Sequence, residues 1–599
     1  MSRHAGARRV APVALAILLA LGCQRADAPT AGPETPVDSE EPAATGPVRG
    51  DWLVLALLSD PENLNPVTSN DAAASSILSW IFPGLLRRDN QTLAQRPQLA
   101  LDLPEISEDK LHYTFRLRRD VTFADAHPMT ARDAVFAIKV IKNPRVAAPH
   151  ARNYFLSVRD AVAVDDFTLR VDLREPYFLN DIVLGGISPL PRHYYDPEGL
   201  LEGIRVADLD DFDSLAPEAR ARAERFATAF NRNFQRNPMG PGAFEIRDPE
   251  RDVVTGERIV LRRRSDFWAP NDPHYGDAWV DRVVYRIIND REAMLVAFKG
   301  GNLDVVGLTP LQYTRPDTRT PSFERRFGKK VHVSPGYTYI GWNEKRPLFQ
   351  DVRVRRALGY FVDKKSIVKN VLFGLGVPVE SPIFMGRPEY KRDLPPYPYD
   401  PERGKQLLAE AGWRDSDGDR ILDKVLNGKR VPLRFEIISN SGNAERKAVG
   451  LAVISDMKRA GIDASFREID WSIMLGKVRN FDYDAVILGW AMSVDPPDSY
   501  QVWHSSQAVP GGSNFVAFRN AEVDRILTAY RTEFDPEKRK QLYDRFQRII
   551  WDEQPYTFLY MQKAITAWDR RFHGVHWYPF GGTDLHEWWV PTAQQKYGR

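Results

Sequence analysis

Two kinds of hydrophobic pattern alternate along the chain. In residues 111–117 and 167–173 apolar side chains occupy every second position, as half-buried strands require. In residues 131–141 they keep helical spacing instead, after Thr130 and Asp133, which form the sequence pattern of a capping box. Strands and helices follow one another in this way along most of the chain, which predicts an α/β fold.

The same patterns predict most of the remaining elements. Aspartate before an amphipathic run, or a proline at its first turn, marks where a helix begins, and glycine marks where it ends. The predicted strands are 52–58, 259–261, 283–288, 303–306, 337–341 and 462–466, and the predicted helices are 75–82, 216–231, 292–299, 351–361, 363–374, 400–412 and 449–457.

One apolar run is followed at once by residues of a different kind. Ala485–Leu488 is short and uninterrupted, which predicts a strand buried on both faces, ended by Gly489 and Trp490. The segment 495–498, Asp-Pro-Pro-Asp, then prevents both strand and helix. Ligands of open α/β sheets bind beyond the carboxyl ends of strands. We therefore predict that Trp490 and Asp495 meet a ligand; the alternative is that Trp490 is core and Asp495 caps a turn.

Composition excludes several classes of protein. At 599 residues the chain is too long for one core and predicts about three or four domains. Apolar residues make up 43% and charged residues 27%, and the net charge is +2, which describes an ordinary globular protein without a nucleic-acid partner. The sequence contains no H-E-x-x-H, G-x-S-x-G or phosphate-binding glycine motif, so it predicts no enzyme and no cofactor.

The amino terminus predicts export. Arg3, Arg8 and Arg9 precede an apolar run, Val10–Leu21, that is too short to span a bilayer. The residues that follow resemble a bacterial lipoprotein cleavage box, in which Cys23, the only cysteine, becomes the lipidated first residue. The alternative is a plain signal peptide with an incidental cysteine.

A tether separates this signal from the folded part of the chain. Residues 24–50 contain almost no large apolar side chains and cannot bury a core, so we expect disorder. A chain of that length reaches on the order of 30 Å. The sequence therefore predicts a periplasmic or cell-surface protein that is anchored to a membrane through Cys23.

Longer blocks resemble a known family. Residues 111–142 match its alternating strand, arginine-rich turn and capped helix, although Ala126 replaces the usual glycine and predicts a turn of different shape. Pro241 and Ala243 are further departures. The other similar blocks are 237–246, 301–306, 341–374, 520–527 and 534–560. Together they resemble the family 5 extracellular solute-binding proteins, the oligopeptide- and dipeptide-binding type that serves ABC importers.

This resemblance implies a two-lobed periplasmic-binding-protein fold of type II, in the large peptide-binding subgroup with an extra third subdomain. The hinge would lie at chain crossings near Val306 and Met561, and ligand would be enclosed by hinge closure. The implied parts are a signal peptide over 1–22, the lipidated cysteine and tether over 23–50, a first lobe over 51–84 with 190–306 and 561–599, the extra subdomain over 85–189, and a second lobe over 307–560.

The resemblance also implies where a peptide would bind. Peptide-binding members hold the peptide extended, and an acidic residue shortly after the tryptophan receives its ammonium group. Ser493 stands where that acid often falls, so Asp495 is the expected substitute and Asp498 the second choice; equally, the ligand has no free amino terminus. The further candidates for ligand contact are Gly489, Ala491 and Met492 beside Trp490, Ser59 and the 63–65 loop on the facing lobe, and Tyr339 and Asn343 near the hinge. The alternative for Ser59, the 63–65 loop, Tyr339 and Asn343 is a structural role as turn or core residues.

The implied function is capture of a di- or oligopeptide by a monomer that delivers it to an ABC permease in the inner membrane. A nickel chelate, haem or an oligosaccharide is the alternative ligand, and a secreted hydrolase is the alternative class.

One acidic turn remains to be interpreted. Asp415, Asp417, Asp419 and Asp423 have the spacing of calcium ligands, but the loop lacks the usual glycine and closing glutamate. A tight polar turn is the favoured interpretation, with calcium binding as the alternative.

Overall fold

The computed structural model describes residues 46–579 and 582–598. The predicted signal peptide, Cys23 and most of the predicted tether lie outside the described residues. The folded body begins at Pro47: Arg49 Nη2 donates to Asp277 at 2.7 Å, and the Gly50 amide donates to the Trp279 carbonyl at 2.9 Å. The last residues assigned to the tether are therefore part of the folded body.

The strands of the described residues are β1 Trp52–Leu57, β2 Leu86–Arg88, β3 Gln95–Pro97, β4 Glu105–Ile106, β5 His112–Arg116, β6 Val158–Asp165, β7 Thr168–Leu173, β8 Phe244–Glu245, β9 Val253–Val254, β10 Arg258–Arg263, β11 Arg282–Ile287, β12 Val305–Gly307, β13 Phe327–Val333, β14 Gly336–Trp342, β15 Gly376–Pro378, β16 Asp423–Leu426, β17 Lys429–Pro432, β18 Arg434–Asn440, β19 Asp463–Ile469, β20 Ala485–Ala491 and β21 Tyr556–Asp569.

Their α-helices are α1 Ala72–Leu78, α2 Ala131–Lys142, α3 Pro149–Arg152, α4 Asn180–Gly185, α5 Arg192–Tyr195, α6 Pro217–Asn233, α7 Pro249–Asp252, α8 Arg291–Lys299, α9 Pro310–Thr314, α10 Pro321–Arg326, α11 Val352–Tyr360, α12 Lys364–Asn370, α13 Pro401–Glu410, α14 Ala444–Arg459, α15 Trp471–Arg479, α16 Tyr500–Trp503, α17 Ala521–Thr532 and α18 Pro536–Glu553. None of these helices combines the length and hydropathy needed to cross a bilayer.

The first lobe is built on a five-stranded sheet in the order β1-β11-β10-β8, with β9 beside β10. Strand β1 runs parallel to β11, although 224 residues lie between Leu57 and Arg282, and β10 is antiparallel to both β11 and β8. Leu53, Leu261 and Val283 pack on one face against α1. Long-range pairing of this kind brings the chain's beginning and middle into one body.

The extra subdomain contains the four-stranded sheet β4-β5-β7-β6 and the small β2-β3 pair. Its core includes Phe115, Ile138 and Leu169, and also Phe226 and Phe230 of α6. Helix α6 therefore packs with this subdomain, although the sequence prediction placed it in the first lobe. We propose that the subdomain extends to about residue 234 instead of ending at 189.

The largest sheet has eight strands in the order β12-β21-β14-β20-β18-β19, with β13 and β15 also paired to β21, and its β14, β15, β18, β19 and β20 belong to the second lobe. The long strand β21 pairs with β14 near its start and with β12 and β13 near its end. Phe323 and Phe327 pack together with Val54 and Val284 of the first lobe. We therefore propose that the chain enters the second lobe near residue 334, later than the predicted crossing at Val306.

The structure bears on three local predictions: the end of β20, the capping box at Thr130 and the turn at Ala126. Strand β20 continues through Gly489 and Trp490 to Ala491, because Gly336 and Tyr337 of β14 pair with Ala491 and Trp490. The capping box at Thr130 is present, with its amide donating to Asp133 Oδ2 at 2.8 Å. Ala126 keeps the left-handed backbone that favours glycine, with φ of 68°, so the change of turn shape expected there is not seen at this residue.

Candidate functional site

A cavity of about 800 Å³ lies between the end of β20 and the facing wall of the first lobe and extra subdomain. On one side it is lined by Trp490, Ala491, Met492, Asp495 and Asp498. On the other side it is lined mainly by the segments 66–82 and 137–190. Five of the sequence-predicted residues therefore share one cavity, whose volume is in the range of ordinary ligand pockets.

Trp490 is one of several aromatic residues that line this cavity. Its ring stacks on Phe515 with centroids 5.1 Å apart and an interplanar angle of 18°, and its Nε1 donates to the Tyr556 hydroxyl at 3.3 Å. The neighbouring Met492 amide donates to the Pro335 carbonyl at 3.1 Å. These contacts fix one face and the polar atom of the Trp490 ring, so its position in the cavity lining is preorganised.

Gly489 lies just behind the lining. A Cβ at this position would lie 3.0 Å from the Tyr337 carbonyl oxygen and 3.2 Å from Arg446 Nη2. Glycine here permits the close approach of β14 and Arg446 to the end of β20. Its role in the structure is therefore to make room beside the cavity, without lining it.

Asp495 is engaged across the cavity. Arg88, at the end of β2 in the extra subdomain, donates from Nη1 to Asp495 Oδ2 at 2.7 Å. The Ser493 hydroxyl donates to the same oxygen at 2.5 Å. Asp495 was the first choice to receive a peptide ammonium group, but in this conformation its charge is already compensated by a guanidinium from the facing wall.

Asp498 is engaged more deeply, by Arg531 of the second lobe and by Tyr177 of the extra subdomain. Its side chain is 2% exposed. Arg531 donates to its Oδ2 from Nε at 2.9 Å and Nη2 at 2.7 Å, and the Tyr177 hydroxyl donates at 2.6 Å. Burial and the negative charge of Asp498 raise the pKa of Tyr177 well above its usual value. This carboxylate is satisfied by the protein, as a buried charge requires.

The other predicted contact residues do not line this cavity. Ser59 lies in the bend after β1. The Asn65 side chain accepts the amides of Val67 and Thr68 at 2.9 and 3.0 Å, which is the contact of a turn residue. The structure therefore favours the structural interpretation of this segment.

Tyr339 and Asn343 lie in the core of the second lobe. Tyr339 is fully buried and stacks on Tyr556 at 3.7 Å. The buried Asn343 amide donates to the carbonyls of Phe481 and Tyr483 at 3.0 and 2.6 Å. They stabilise the strands behind the cavity, and we do not include them among the proposed ligand contacts.

The acidic turn before β16 brings together three of its four aspartates. Ligand oxygens of Asp415, Asp417 and Asp419 lie within 4.8 Å of one another. Asp423 turns away and accepts the Ser416 amide at 3.0 Å. Asp415 accepts two backbone amides of its own turn, and Asp417 pairs with Arg430. These contacts fit the tight polar turn; calcium binding stays a prediction.

Several residues that shape the cavity have no local signature in the sequence. Arg88 is 407 positions from Asp495, and Tyr177 is 321 positions from Asp498. Arg531 lies on α17, far from the loop that it supports. A residue pattern around Arg88 or Arg531 describes only a strand end or an exposed helical face, so sequence reasoning had no signal that would single them out.

Comparisons with known proteins cover nearly the whole chain. Oligopeptide-binding protein AppA of Bacillus subtilis is 28% identical over 568 residues, which are 93% of this chain and 95% of AppA. The solved structure of AppA in complex with a nonapeptide superposes with a TM-score of 0.77 at 27% identity, covering 91% of this chain and 99% of that one. This similarity confirms the two-lobed periplasmic-binding-protein fold of type II.

This chain is also similar to relatives that bind other ligands. NikZ of Campylobacter jejuni, solved in complex with Ni(L-His), superposes with a TM-score of 0.73 at 24% identity and covers 90% of this chain and 99% of NikZ. Heme-binding protein A of Haemophilus influenzae is 25% identical over 498 residues, 80% of this chain and 81% of its own.

The family model described as "Bacterial extracellular solute-binding proteins, family 5 Middle" matches residues 94–511, more than half of the chain. The chain therefore belongs to the bacterial extracellular solute-binding proteins of family 5, which bind solutes and are not enzymes.

Proposed function

We propose that this chain captures a di- or oligopeptide between its lobes and delivers it to an ABC permease. The observation that carries the proposal is the cavity of about 800 Å³ in which a fixed tryptophan ring and the end of β20 face a separate wall. The similarity to AppA over nearly the full length of both chains supports a peptide as the solute. A nickel chelate, haem or an oligosaccharide is the alternative, supported by the relatives that bind the first two.

Closure of the lobes would accompany capture. Arg479 of α15, in the second lobe, donates from Nη1 to Glu62 at 3.1 Å and from Nη2 to Asn70 at 2.7 Å, both in the first lobe. The contact between Arg88 and Asp495 also connects the two sides of the cleft. Exposed pairs of this kind contribute little each, so they can break when the lobes separate. Only contacts that the solute makes in the closed state can shift that equilibrium.

Native mass spectrometry of protein purified without denaturation tests the proposal. We expect one peptide per chain, and a smaller radius of gyration in solution scattering when the released peptide is added back. Trp490→Ala should weaken rebinding about tenfold or more, because the variant loses a large apolar contact. Trp551→Ala, outside the cavity lining, is the matched control.

The identity of the released solute decides between the ligands. A metal chelate, a porphyrin or a sugar would replace the peptide in the proposal and keep the capture mechanism. Absence of any carried or added solute that compacts the protein would contradict capture itself.

We also propose that Cys23 is lipidated and holds a monomer at the outer face of a membrane. The sequence around Cys23 and the family's extracellular location support this. Labelling cells with an alkyne fatty acid should mark the wild type and leave Cys23→Ser unmarked. An unlabelled wild-type protein, released freely from the membrane fraction, would contradict the anchor.

A further inference from the structure

Two histidines and one aspartate lie together on the surface of the extra subdomain, away from the solute cavity. Asp125 and His127 belong to the turn before α2, and His193 lies on α5, 68 positions from Asp125. One ligand atom of each residue, an imidazole nitrogen or a carboxylate oxygen, lies within 4.8 Å of the other two. All three residues are exposed, so an ion can reach them from solvent.

The three side chains converge on a single oxygen atom. His193 Nε2 lies 2.5 Å from Asp125 Oδ2, and His127 Nδ1 lies 3.1 Å from the carboxylate through the same atom. The two imidazole rings stack with centroids 3.9 Å apart and an interplanar angle of 27°. A tetrahedral zinc ion, with bonds of about 2.0–2.1 Å, holds its ligand atoms about 3.3 Å apart. The two nitrogen–oxygen separations are already close to that value, so small side-chain rotations would admit the ion.

The turn that carries Asp125 and His127 is fixed by the protein itself. The His127 amide donates to Asp125 Oδ1 at 3.2 Å, and this contact leaves Oδ2 to the imidazoles. The Phe123 amide donates to the His127 carbonyl at 2.9 Å. Arg264, which is 2% exposed, donates from Nη2 to the Phe123 carbonyl at 2.7 Å. Two of the three side chains are therefore held on backbone that is preorganised.

Helix α5 holds His193 against the same support. Asp133, in the first turn of α2, accepts the Arg192 amide at 3.3 Å. Tyr195 of α5 is buried in the core of the extra subdomain. Because the turn that carries Asp125 leads directly into α2, both parts of the cluster are fixed to one helix. Preorganisation of this kind lowers the cost of binding an ion.

The carboxylate of this cluster differs from those of the solute cavity. Asp495 and Asp498 are each paired with an arginine. Among residues 46–579 and 582–598, by contrast, no lysine or arginine nitrogen lies within 4.0 Å of the Asp125 carboxylate, whose ion-pair partners are the two histidines. An imidazole binds metal ions in its neutral form. The cluster therefore offers a divalent cation one negative charge and two nitrogen donors.

We propose that Asp125, His127 and His193 bind one divalent transition-metal ion, with zinc as the expected metal. Zinc accepts imidazole nitrogen together with carboxylate oxygen, and water can complete a tetrahedral site. Calcium and magnesium prefer oxygen donors. The ion would connect the turn before α2 to α5 and stabilise the folded protein by binding it in preference to the unfolded chain. This site is separate from the solute cavity and does not depend on the proposed capture of a peptide.

Calorimetric titration of ZnCl₂ into the full chain, purified without an affinity tag and treated with a chelator, tests the proposal. We expect one Zn²⁺ per chain and a higher midpoint of thermal unfolding in its presence. CaCl₂ and MgCl₂ should have no such effect, because two of the three ligands are nitrogens. Co²⁺ bound in place of Zn²⁺ should show the visible absorption of a tetrahedral site.

Single substitutions separate the ligands from the surrounding fold. His127→Gln, His193→Gln and Asp125→Asn should each weaken Zn²⁺ binding about tenfold or more, because each removes one of three ligands. His112→Gln is the matched control, since His112 Nδ1 lies 2.7 Å from Asp172 Oδ1 and is not part of the cluster. Thermal unfolding without Zn²⁺ verifies that each variant is folded.

The outcomes separate a metal site from a hydrogen-bonded surface group. Binding that is weakened in the three cluster variants and unchanged in His112→Gln supports the site, whichever solute the cleft carries. No binding of Zn²⁺ to the wild type would overturn it. So would binding that persists in all three cluster variants, or that falls equally in His112→Gln.

Discussion

Two aspartates only three residues apart, Asp495 and Asp498, form ion pairs of opposite character. The Arg531–Asp498 pair lies within the second lobe, and its side chains are 12% and 2% exposed. The Arg88–Asp495 pair joins the extra subdomain to the second lobe, with side chains 33% and 18% exposed. The first joins two residues of the second lobe, although Tyr177 and Asn153 of the extra subdomain also contact it, whereas the second itself spans the cleft that must open.

The difference in burial explains why the two pairs differ in the free energy that they contribute. Breaking a buried pair leaves a charge without water or partner, and this costs several kcal/mol. A partly exposed pair is replaced by hydration when it breaks, so it contributes about 1 kcal/mol or less. The Arg88–Asp495 contact can therefore break at low free-energy cost when the cleft opens, whereas the Arg531–Asp498 contact stabilises the loop that carries Asp498. We predict four changes, in decreasing order of expected effect, and those at Asp498 and Arg88 test the difference between the two pairs directly.

The largest effect is expected for Asp498→Ala. Loss of the carboxylate leaves Arg531 buried beside Tyr177 and should lower the free energy of unfolding by about 3–5 kcal/mol. Urea denaturation followed by fluorescence measures it. Asp498→Asn, which keeps the shape and the hydrogen-bond acceptor, should lose less, and equal loss in both variants would show that packing and not charge holds this loop.

Acid unfolding should show the next largest effect, at Asp584. Burial opposes ionisation of this carboxyl, but its contacts with His586 and Arg87 outweigh burial and lower its pKa from 3.8 to about 2 in the folded protein. Its contribution is therefore fully present above pH 3.8 and is lost as the pH falls towards 2. At about 1.4 kcal/mol per unit, this contribution is about 2 kcal/mol. Asp584→Asn should make the free energy of unfolding depend less on pH between 3.8 and about 2. An unchanged pH dependence would show that Asp584 does not cause the loss of stability in acid.

A smaller effect on stability, but a visible one on shape, is expected for Arg88→Ala. The free energy of unfolding should fall by about 1 kcal/mol or less, because the pair is partly exposed. The radius of gyration of the ligand-free protein should rise, because one contact across the cleft is lost. Exposed Arg225, paired with Glu198, supplies the control Arg225→Ala, which should change neither quantity. A loss comparable with that of Asp498→Ala would remove the distinction between the pairs.

The smallest effect is expected outside both pairs, for Ala126→Gly. Alanine at a φ of 68° is strained, and glycine relieves that strain while losing more entropy on folding. The net gain in stability should be about 0.5 kcal/mol, measured by the same denaturation. A loss on this substitution would show that the methyl group makes contacts worth more than the strain.

The sequence predicted the elements well where short-range chemistry decides them. Asp351, Asp363 and Asp400 each accept an amide of the helix that follows, as their positions indicated. Trp490 lines the cavity, at the end of an apolar strand followed by prolines, and its contact with a ligand stays a prediction. The end of β20 was misplaced by three residues, because its pairing with β14 depends on residues about 150 positions away.

The charge state of the cleft was beyond local reasoning. An aspartate after a tryptophan indicates an ammonium anchor equally well whether or not an arginine from another subdomain already pairs with it. Arg88 and Arg531 are ordinary residues of a strand end and a helix.

The amino-acid sequence alone indicated the family, the α/β elements and the loop that lines the cavity, since short-range patterns carry these features. The tertiary structure was needed to show which side chains pair with the two aspartates of that loop. Coulombic and packing energies depend on distance in space, and the partners concerned are not neighbours in the chain: Arg531 lies 33 positions from Asp498 and Arg88 lies 407 positions from Asp495.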